Sequence, residues 1–256
     1  MQNIQNKKIS TFDTDFSIND LFQAGVHLGH NKSRWNPKMS AYLYGIRNAS
    51  YVIDLKKTNI LLKNALKFLH HVVKEDGKVL FVSTKESVRN ITEEFATKCG
   101  QFYINHRWLG GMLTNWKSIS KSIRKLDYLD KLLTDQKTKS IYTKKEILLF
   151  EKKKEKLNLL FKGIRNMKRM PNAVIIINTN KDNICVKESF NLGIPTVAVL
   201  DTNSNPDMIS YPIPGNDDSI KSISFYLKIF HNAILNGIEE YVNNKDKTGD
   251  KAKVSK

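Results

Sequence analysis

Short apolar runs alternate with longer segments of helical periodicity over most of the chain. Four runs are predicted as buried strands: residues 78–84, 101–105, 173–177 and 195–201. Segments with apolar residues every three or four positions are predicted as helices: residues 85–99, 182–192 and 217–237. Pro206, Pro212 and Pro214 predict a loop before the last helix. Such alternation is typical of βαβ units, so we expect an α/β fold with a parallel, doubly wound sheet.

The first 75 residues have a different pattern. Ser17 and Asp20 have the spacing of a helix capping box, which predicts a short helix over 17–24. Residues 26–39 form a basic segment rich in turn-forming residues. Residues 42–54 contain two β-rich runs around a Gly- and Asn-containing centre, which predicts a β-hairpin. Asp54 is placed to cap a long amphipathic helix that runs to about residue 75.

Residues 117–169 interrupt the alternation with a heptad-like pattern. The apolar residues at a and d spacing are Ile119, Ile123, Leu126 and Leu133 in the first half, and Ile147, Phe150, Leu157, Phe161 and Ile164 in the second. A polar turn region at 134–143 separates the halves, and Thr143 with Glu146 forms a second capping box. Two such helices joined by a polar turn predict an inserted antiparallel helical hairpin, a coiled coil.

These patterns divide the chain into four parts. We expect an N-terminal tail at 1–16, an α/β globular domain formed by 17–116 and 170–238, a basic helical-hairpin insert at 117–169, and a disordered basic C-terminal tail at 239–256. The C-terminal tail is expected to be disordered because Val254 is the only large apolar residue among its last fourteen residues.

The distribution of charge points to a polyanionic partner. The chain contains 42 Lys and Arg and 25 Asp and Glu, a net charge of +17. The insert alone contains 17 basic and 6 acidic residues, a net charge of +11. A Lys-rich helix often has only a solvated face, but here the acidic residues are too few to pair with the basic ones. We therefore expect the insert to bind RNA.

Composition argues against several other classes of protein. No apolar run approaches the roughly 20 residues of a membrane helix, and the N-terminus resembles neither a secretory signal nor a transit peptide. Cys99 and Cys185 are too few for a disulfide framework and are expected to be buried in a protein of a reducing compartment.

A nucleotide- or flavin-binding enzyme on the same fold is the alternative hypothesis. The sequence has no Gly-rich phosphate-binding motif. Asp182, Asp217 and Asp218 stand at predicted helix starts, where carboxylates suit the helix dipole and would repel a nucleotide phosphate. The sequence therefore disfavours this alternative.

Three carboxylates are expected at one edge of the sheet. Asp201 ends a predicted strand, and Asp217 and Asp218 follow the next segment. Loops at the carboxyl ends of neighbouring parallel strands converge, so these residues, with His30 as a further ligand, could hold one structural divalent cation. Ordinary helix capping is the competing interpretation. No other cofactor is expected.

Several segments resemble one protein family. They are NHRWLGGMLTNW at 105–116, AGVHLGHNKSRWNPKM at 24–39, PNAVIIINTNKDNICVKESFNLGIP at 171–195, LDTNSNPD at 200–207 and IPGNDDSI at 213–220. They are similar to signatures of the bacterial and organellar small-subunit ribosomal protein 2 family. The resemblance covers about residues 16–238.

The resemblance implies a fold, a role and partners. The fold is a flavodoxin-like (Rossmann-like) α/β/α domain with a helical-hairpin protrusion. The implied protein has no catalytic activity and lies in the bacterial cytoplasm or in an organelle. Its implied partners are small-subunit rRNA between head and body of the subunit, and neighbouring proteins that include the large ribosomal protein 1.

Basic and aromatic side chains are the candidate RNA contacts. Residues 32–38 interleave basic side chains with Trp35, and His106 and Arg107 precede two glycines that allow close backbone approach. Trp108 and Trp116 either stack on bases or pack where the insert leaves the sheet. The candidates are Lys32, Arg34, Trp35, Lys38, Arg47, His106, Arg107, Lys117, Lys121, Arg124, Lys125, Lys144, Lys145, Lys152, Lys153, Arg165, Lys168 and Arg169.

Overall fold

A computed structural model describes residues 16–135 and 141–254. The expected N-terminal tail, apart from Phe16, and the centre of the turn within the insert lie outside the described residues. The strands are β1 Leu28–Asn31, β2 Leu43–Arg47, β3 Ser50–Ile53, β4 Val79–Val82, β5 Phe102–Ile104, β6 Ala173–Ile176, β7 Thr196–Leu200 and β8 Tyr211–Pro214. The α-helices are α1 Ile18–Gln23, α2 Leu55–Lys74, α3 Arg89–Lys98, α4 Trp116–Thr134, α5 Lys144–Phe161, α6 Asn183–Asn191 and α7 Ile220–Val254.

The central sheet is parallel, as the sequence predicts. Its five strands lie in the order β5-β4-β6-β7-β8, and every neighbouring pair is parallel. Numbered along the chain within this sheet, that order is 2-1-3-4-5, the order of flavodoxin-like folds. The chain leaves β4 and β6 in opposite directions, which opens a crevice at their carboxyl ends.

One strand of this sheet lies where the sequence predicts a loop. Tyr211–Pro214 pairs with β7 as the edge strand β8. Pro212 and Pro214 cannot donate to a ladder, which is why the segment has the sequence of a loop. An edge strand tolerates them because one of its sides needs no partner.

Side chains of the sheet alternate between two hydrophobic clusters, which makes three layers. Val79 and Phe81 of β4 point to the cluster that α2, α3 and α7 cover. Leu80 and Val82 point to the opposite cluster, which α4, α5 and α6 cover. The alternation follows from the two-residue period of a strand buried on both faces.

The base of the insert belongs to the second cluster, so the predicted division at residues 117 and 169 needs correction. The buried side chains it contributes are Ile119, Ile123, Leu126, Phe161, Ile164 and Met167. The same heptad-like spacing of apolar residues is present where the two helices pack on the sheet, so the sequence does not mark the boundary of the insert. Leu129 and Leu132 are buried outside this cluster, so only the part of the insert beyond about Asp130 lies clear of the sheet.

The last helix is longer than predicted, and the expected disordered tail is wrong as far as Val254. Helix α7 runs from Ile220 to Val254 without a break at Gly237. A Cβ at Gly237 would lie 2.7 Å from the His70 carbonyl oxygen. The glycine that suggests a helix end therefore marks a close approach between α7 and α2, and Lys74 Nζ binds Glu240 at 3.0 Å one turn later.

A small antiparallel sheet precedes the main one. The predicted hairpin is confirmed as β2 and β3, and β1, which the sequence does not predict, pairs with β3. A Cβ at Gly29 would lie 2.4 Å from Thr202 Cγ2, so the glycine lets β1 approach the loop after β7. The His30 N–H donates to Thr202 Oγ1 at 3.0 Å. This contact brings His30 to the carboxyl edge of the main sheet.

Candidate nucleic-acid interface

A basic groove lies at the crevice between the ends of β4 and β6. Its volume is about 710 Å³, and helix α5 forms one of its walls. The basic and imidazole side chains that line it are Arg89, His106, Arg107, Lys156 and Lys181. Asp182 is the acidic residue of the lining. The groove therefore suits an anionic ligand, at the place where α/β sheets usually bind their ligands.

The groove unites two predicted residues with three that the sequence analysis missed. His106 and Arg107 follow β5, as predicted. Arg89 begins α3, Lys156 lies on α5, and Lys181 follows β6. Lys181 Nζ donates to the Thr84 carbonyl at 3.0 Å. Residues this far apart in sequence share no local pattern that would predict their meeting.

Asp182 is buried at the end of the groove. It occupies the N-cap position of α6, but its carboxylate makes no capping hydrogen bond there. It accepts instead from the Thr84 N–H at 3.2 Å and the Thr84 hydroxyl at 2.8 Å. Burial raises the pKa of this carboxyl. The carboxylate therefore ties the end of β4 to the start of α6 and does not cap the helix.

Glu188 holds the glycine-containing loop between β5 and α4. One carboxylate oxygen accepts from Trp108 Nε1 at 3.0 Å and the Gly111 N–H at 2.7 Å. The other accepts from the Leu113 N–H at 2.9 Å and from the Thr114 N–H and hydroxyl at 3.0 and 3.1 Å. This carboxylate therefore organises the segment that positions Arg107.

The electrostatics of Glu188 agree with this role. Its side chain is buried, and burial alone would raise its pKa. The donors from Thr114, Trp108, Leu113 and Gly111 outweigh burial, so the pKa of Glu188 is lowered. The sequence analysis did not select Glu188 as a site residue. The one feature of the sequence that could have indicated Glu188 is its place as an acidic residue beside the apolar positions of a short helix.

Trp108 packs in the core, whereas Trp116, at the start of α4, is only partly buried. Trp108 is 6% exposed, and its ring nitrogen is bound to Glu188. Trp116 is half-buried against the second hydrophobic cluster. The Trp108 ring therefore offers no free face of the kind that stacking on an unpaired base requires.

The basic loop at 32–38 is exposed and firmly attached. Lys32 and Arg34 are exposed, whereas Trp35 is half-buried with its ring 4.9 Å from that of Tyr51. Lys38 is exposed but forms an ion pair with Asp207. The loop therefore presents cations on a fixed backbone. Arg47, at the end of β2, is exposed as well.

Most candidates on the insert are exposed. They are Lys117, Lys121, Arg124, Lys125, Lys144, Lys145, Lys152, Lys153 and Lys168. Lys125 contacts Lys153 from the facing helix and lowers its pKa. Two cations in contact repel each other, so an anion bound between them would stabilise this surface.

Two candidates on the insert are engaged within the protein. Arg165 binds Asp127 at 2.6 Å and Asp130 at 2.9 Å. Arg169 donates to the Asp76 carbonyl at 2.7 Å. Arg165 therefore joins the two halves of the insert, and Arg169 joins the insert to the turn after α2, so these two are weaker candidates for phosphate contacts than the exposed lysines.

The predicted acidic residues do converge at the carboxyl edge. The ligand atoms of His30, Asp201 and Asp218 lie within 4.8 Å of one another. Asp217 is buried beside them. The capping interpretation is wrong for Asp217 and Asp218. Asn216 Oδ1 accepts from the backbone N–H groups of residues 218 and 219, at 2.8 and 3.1 Å.

Comparisons with known proteins identify the family. A family profile described as ribosomal protein S2 matches residues 21–237. The chain is 54% identical to the small ribosomal subunit protein uS2 of Rickettsia typhi, over 88% of this chain and 76% of the relative. It is 55% identical to that of Rickettsia bellii, over 88% and 77%. No helix among the described residues has the length and apolarity needed to cross a bilayer. The chain therefore belongs to the ribosomal protein S2 family of the bacterial small subunit.

Proposed function

We propose that this chain is a structural constituent of the small ribosomal subunit in the bacterial cytoplasm and binds small-subunit rRNA. The observation that carries the proposal is the basic surface formed by the groove and the exposed lysines of the insert. The names of the relatives support the ribosomal role. The family is one of structural proteins, and the chain is not an enzyme.

The proposal includes an architecture and two placements. Residues 117–169 act as a coiled-coil hairpin whose base packs on the sheet and whose outer part extends towards RNA. Contacts between α4 and α5, such as Lys154 Nζ to Asp130 at 2.6 Å, support the pairing. The position between head and body of the subunit and the docking of ribosomal protein 1 rest on the family resemblance.

Co-sedimentation tests the ribosomal role. We expect the full chain to sediment with small subunits at moderate salt and to dissociate as salt rises, because phosphate contacts release counterions on binding. A protein that stays in the supernatant with subunits lacking their own copy would contradict the proposal. Flotation with anionic vesicles would point to a membrane surface instead.

Charge reversal in the groove is expected to weaken RNA binding without unfolding the protein. Arg107, after β5, and Lys156, on α5, are exposed and line the groove. Replacing both with Glu should lower affinity for rRNA by at least about tenfold at moderate salt and make the salt slope shallower by about 1–2. Filter binding across a salt series measures both quantities.

Lys67→Glu is the matched control for the groove. Lys67 is exposed on α2, which covers the opposite face of the sheet. The variant changes total charge in the same direction, so its affinity should fall only slightly. Equal losses per reversed charge in the two proteins would show that net charge alone, and not the groove, attracts the RNA.

The alternative of a nucleotide-binding enzyme has its own test. We expect ATP, GTP, NAD and FMN to bind no more tightly than about millimolar, because Asp182 occupies the end of the crevice. Isothermal titration calorimetry measures this directly. Micromolar binding of any of the four would overturn the expectation.

A further inference from the structure

Four side chains from three separate parts of the chain meet at the carboxyl edge of the sheet. His30 comes from β1, Asp201 follows β7, and Asp217 and Asp218 precede α7. His30 Nδ1 lies 3.1 Å from Asp201 Oδ2, and Nε2 lies 3.2 Å from Asp218 Oδ2. Ligands of one divalent ion, each at about 2.0–2.4 Å, lie at most about 4–5 Å apart. The ligand atoms of three of the four residues, His30, Asp201 and Asp218, lie within 4.8 Å of one another, which is compatible with one shared ion.

Asp217 provides a second, independent observation that supports a cation site. It is 1% exposed, and neither carboxylate oxygen has a hydrogen-bond partner among the described residues. A buried carboxylate without a donor is costly, and native proteins rarely keep one without a partner or an ion. The charged groups that act on it are Asp201, Asp218, His30 and Lys85.

The formal charges of the cluster leave room for a divalent ion. The three carboxylates carry three negative charges, and Lys85 Nζ, 2.6 Å from Asp218 Oδ1, carries one positive charge. Metal ligands must be deprotonated, so with an ion bound the imidazole is neutral and the protein groups have a net charge of −2, which one divalent cation balances.

We propose that His30, Asp201, Asp217 and Asp218 bind one divalent cation that fastens the N-terminal sheet to the main sheet. One imidazole with carboxylates suits Mn²⁺ or Zn²⁺ better than Ca²⁺, which takes oxygen ligands alone. Asp201 Oδ1 accepts from the N–H of the next residue, Thr202, at 2.5 Å, which fixes the orientation of the carboxylate. The ion joins β1 to two loops of the main sheet that lie about 170 residues further along the chain. The proposal is independent of RNA binding.

Titration of the metal-free full chain with Mn²⁺ or Zn²⁺ tests the proposal. After treatment with a chelator and its removal, equilibrium dialysis should find about one ion per chain. At about 100 times the Kd, the ion should raise the Tm by roughly 5–10 °C. Electron paramagnetic resonance should show bound Mn²⁺. No bound ion at 1 mM of either metal would overturn the proposal.

The Asp217→Asn variant distinguishes an ion-binding role of Asp217 from a purely structural one. The variant should bind the ion at least about tenfold more weakly and lose the rise in Tm. Its metal-free Tm should not fall, because the substitution removes an unpaired buried charge. Equal loss of Tm with and without metal would instead show a structural role and contradict the proposal.

Two further variants keep the test decisive. His30→Gln removes a ligand from a half-exposed position and should also weaken ion binding, which matters if Asp217→Asn does not fold. Asp207→Asn makes the same change at an exposed aspartate outside the cluster. It should bind the ion like the wild type. An equal loss of binding in Asp207→Asn would show only diffuse attraction to negative charge.

Discussion

Replacing residues 131–153 with a short Gly/Ser linker is expected to leave the α/β domain folded while RNA binding loses much of its salt dependence. The pair between Asp130 and Lys154, at 2.6 Å, shows that the two ends of this segment lie side by side. The deleted segment contains seven basic and three acidic residues. If three or four of the basic side chains contact phosphate, the slope of log K against log salt should become shallower by about 2–4. Filter binding to small-subunit rRNA and circular dichroism melts measure the two effects.

A longer deletion provides the contrast. The sequence alone suggests that residues 118–168 can be removed without unfolding the sheet, since loop closure costs grow slowly with length. The structure predicts the opposite, because this deletion removes six buried side chains from one face of the sheet. Each such loss costs about 2–5 kcal/mol, and together they exceed a typical total stability of about 5–15 kcal/mol. A cooperative melt at the wild-type temperature would contradict this expectation.

Replacing Lys152 and Lys153 with Glu tests the same surface as the short deletion without removing any backbone. Both side chains are exposed, whereas Lys154 next to them is half-buried against Asp130 and is left unchanged. The double variant should reproduce part of the change in slope without any change in melting. An unchanged slope in both proteins would place the RNA contacts in the groove and in the loop at 32–38.

The elements that the sequence predicts well are those with a complete local signal. Strand β4 is continuously apolar, the β2–β3 hairpin has its own turn, and the capping boxes at Ser17 and Thr143 form as expected. The sequence predictions are wrong where one residue type is compatible with two different local structures. Gly237 suggests a helix end and instead allows α7 to approach α2. Pro212 suggests a loop and instead lies in an edge strand.

The candidate site divides in the same way. Exposed lysines on a heptad-patterned helix follow from the sequence, because helical periodicity decides which side of each helix faces solvent. The groove does not, because Arg89, Lys156 and Lys181 meet only once the strand order 2-1-3-4-5 has formed. Glu188 and its donors are separated by about 75 residues. No short stretch of the sequence contains both Glu188 and the groups that donate to it.

Glu188→Ala is expected to be the most destabilising single substitution near the interface. It leaves the N–H groups of Gly111, Leu113 and Thr114 and the indole N–H of Trp108 without their acceptor. Breaking a buried charge-assisted network of this kind costs about 3–5 kcal/mol. At roughly 2–4 °C per kcal/mol, the Tm should fall by about 6–20 °C. Differential scanning calorimetry measures the change, and Glu86→Gln, at a side chain that is 86% exposed, is the control.

The dependence of this effect on pH identifies its cause. The pKa of Glu188 is lowered in the folded protein from its ordinary value of 4.5, so its carboxylate stabilises the fold above about pH 4.5. That contribution is lost as pH falls through the lowered pKa. The difference in Tm between wild type and Glu188→Ala should therefore be constant from pH 6 to 8 and shrink below about pH 4.5.

Glu188→Gln keeps the shape but turns an amide NH₂ towards N–H donors, so it should lose nearly as much stability as the alanine variant. A glutamine variant as stable as the wild type would show that shape and not charge holds the loop, and Arg107 would then keep its position without the carboxylate.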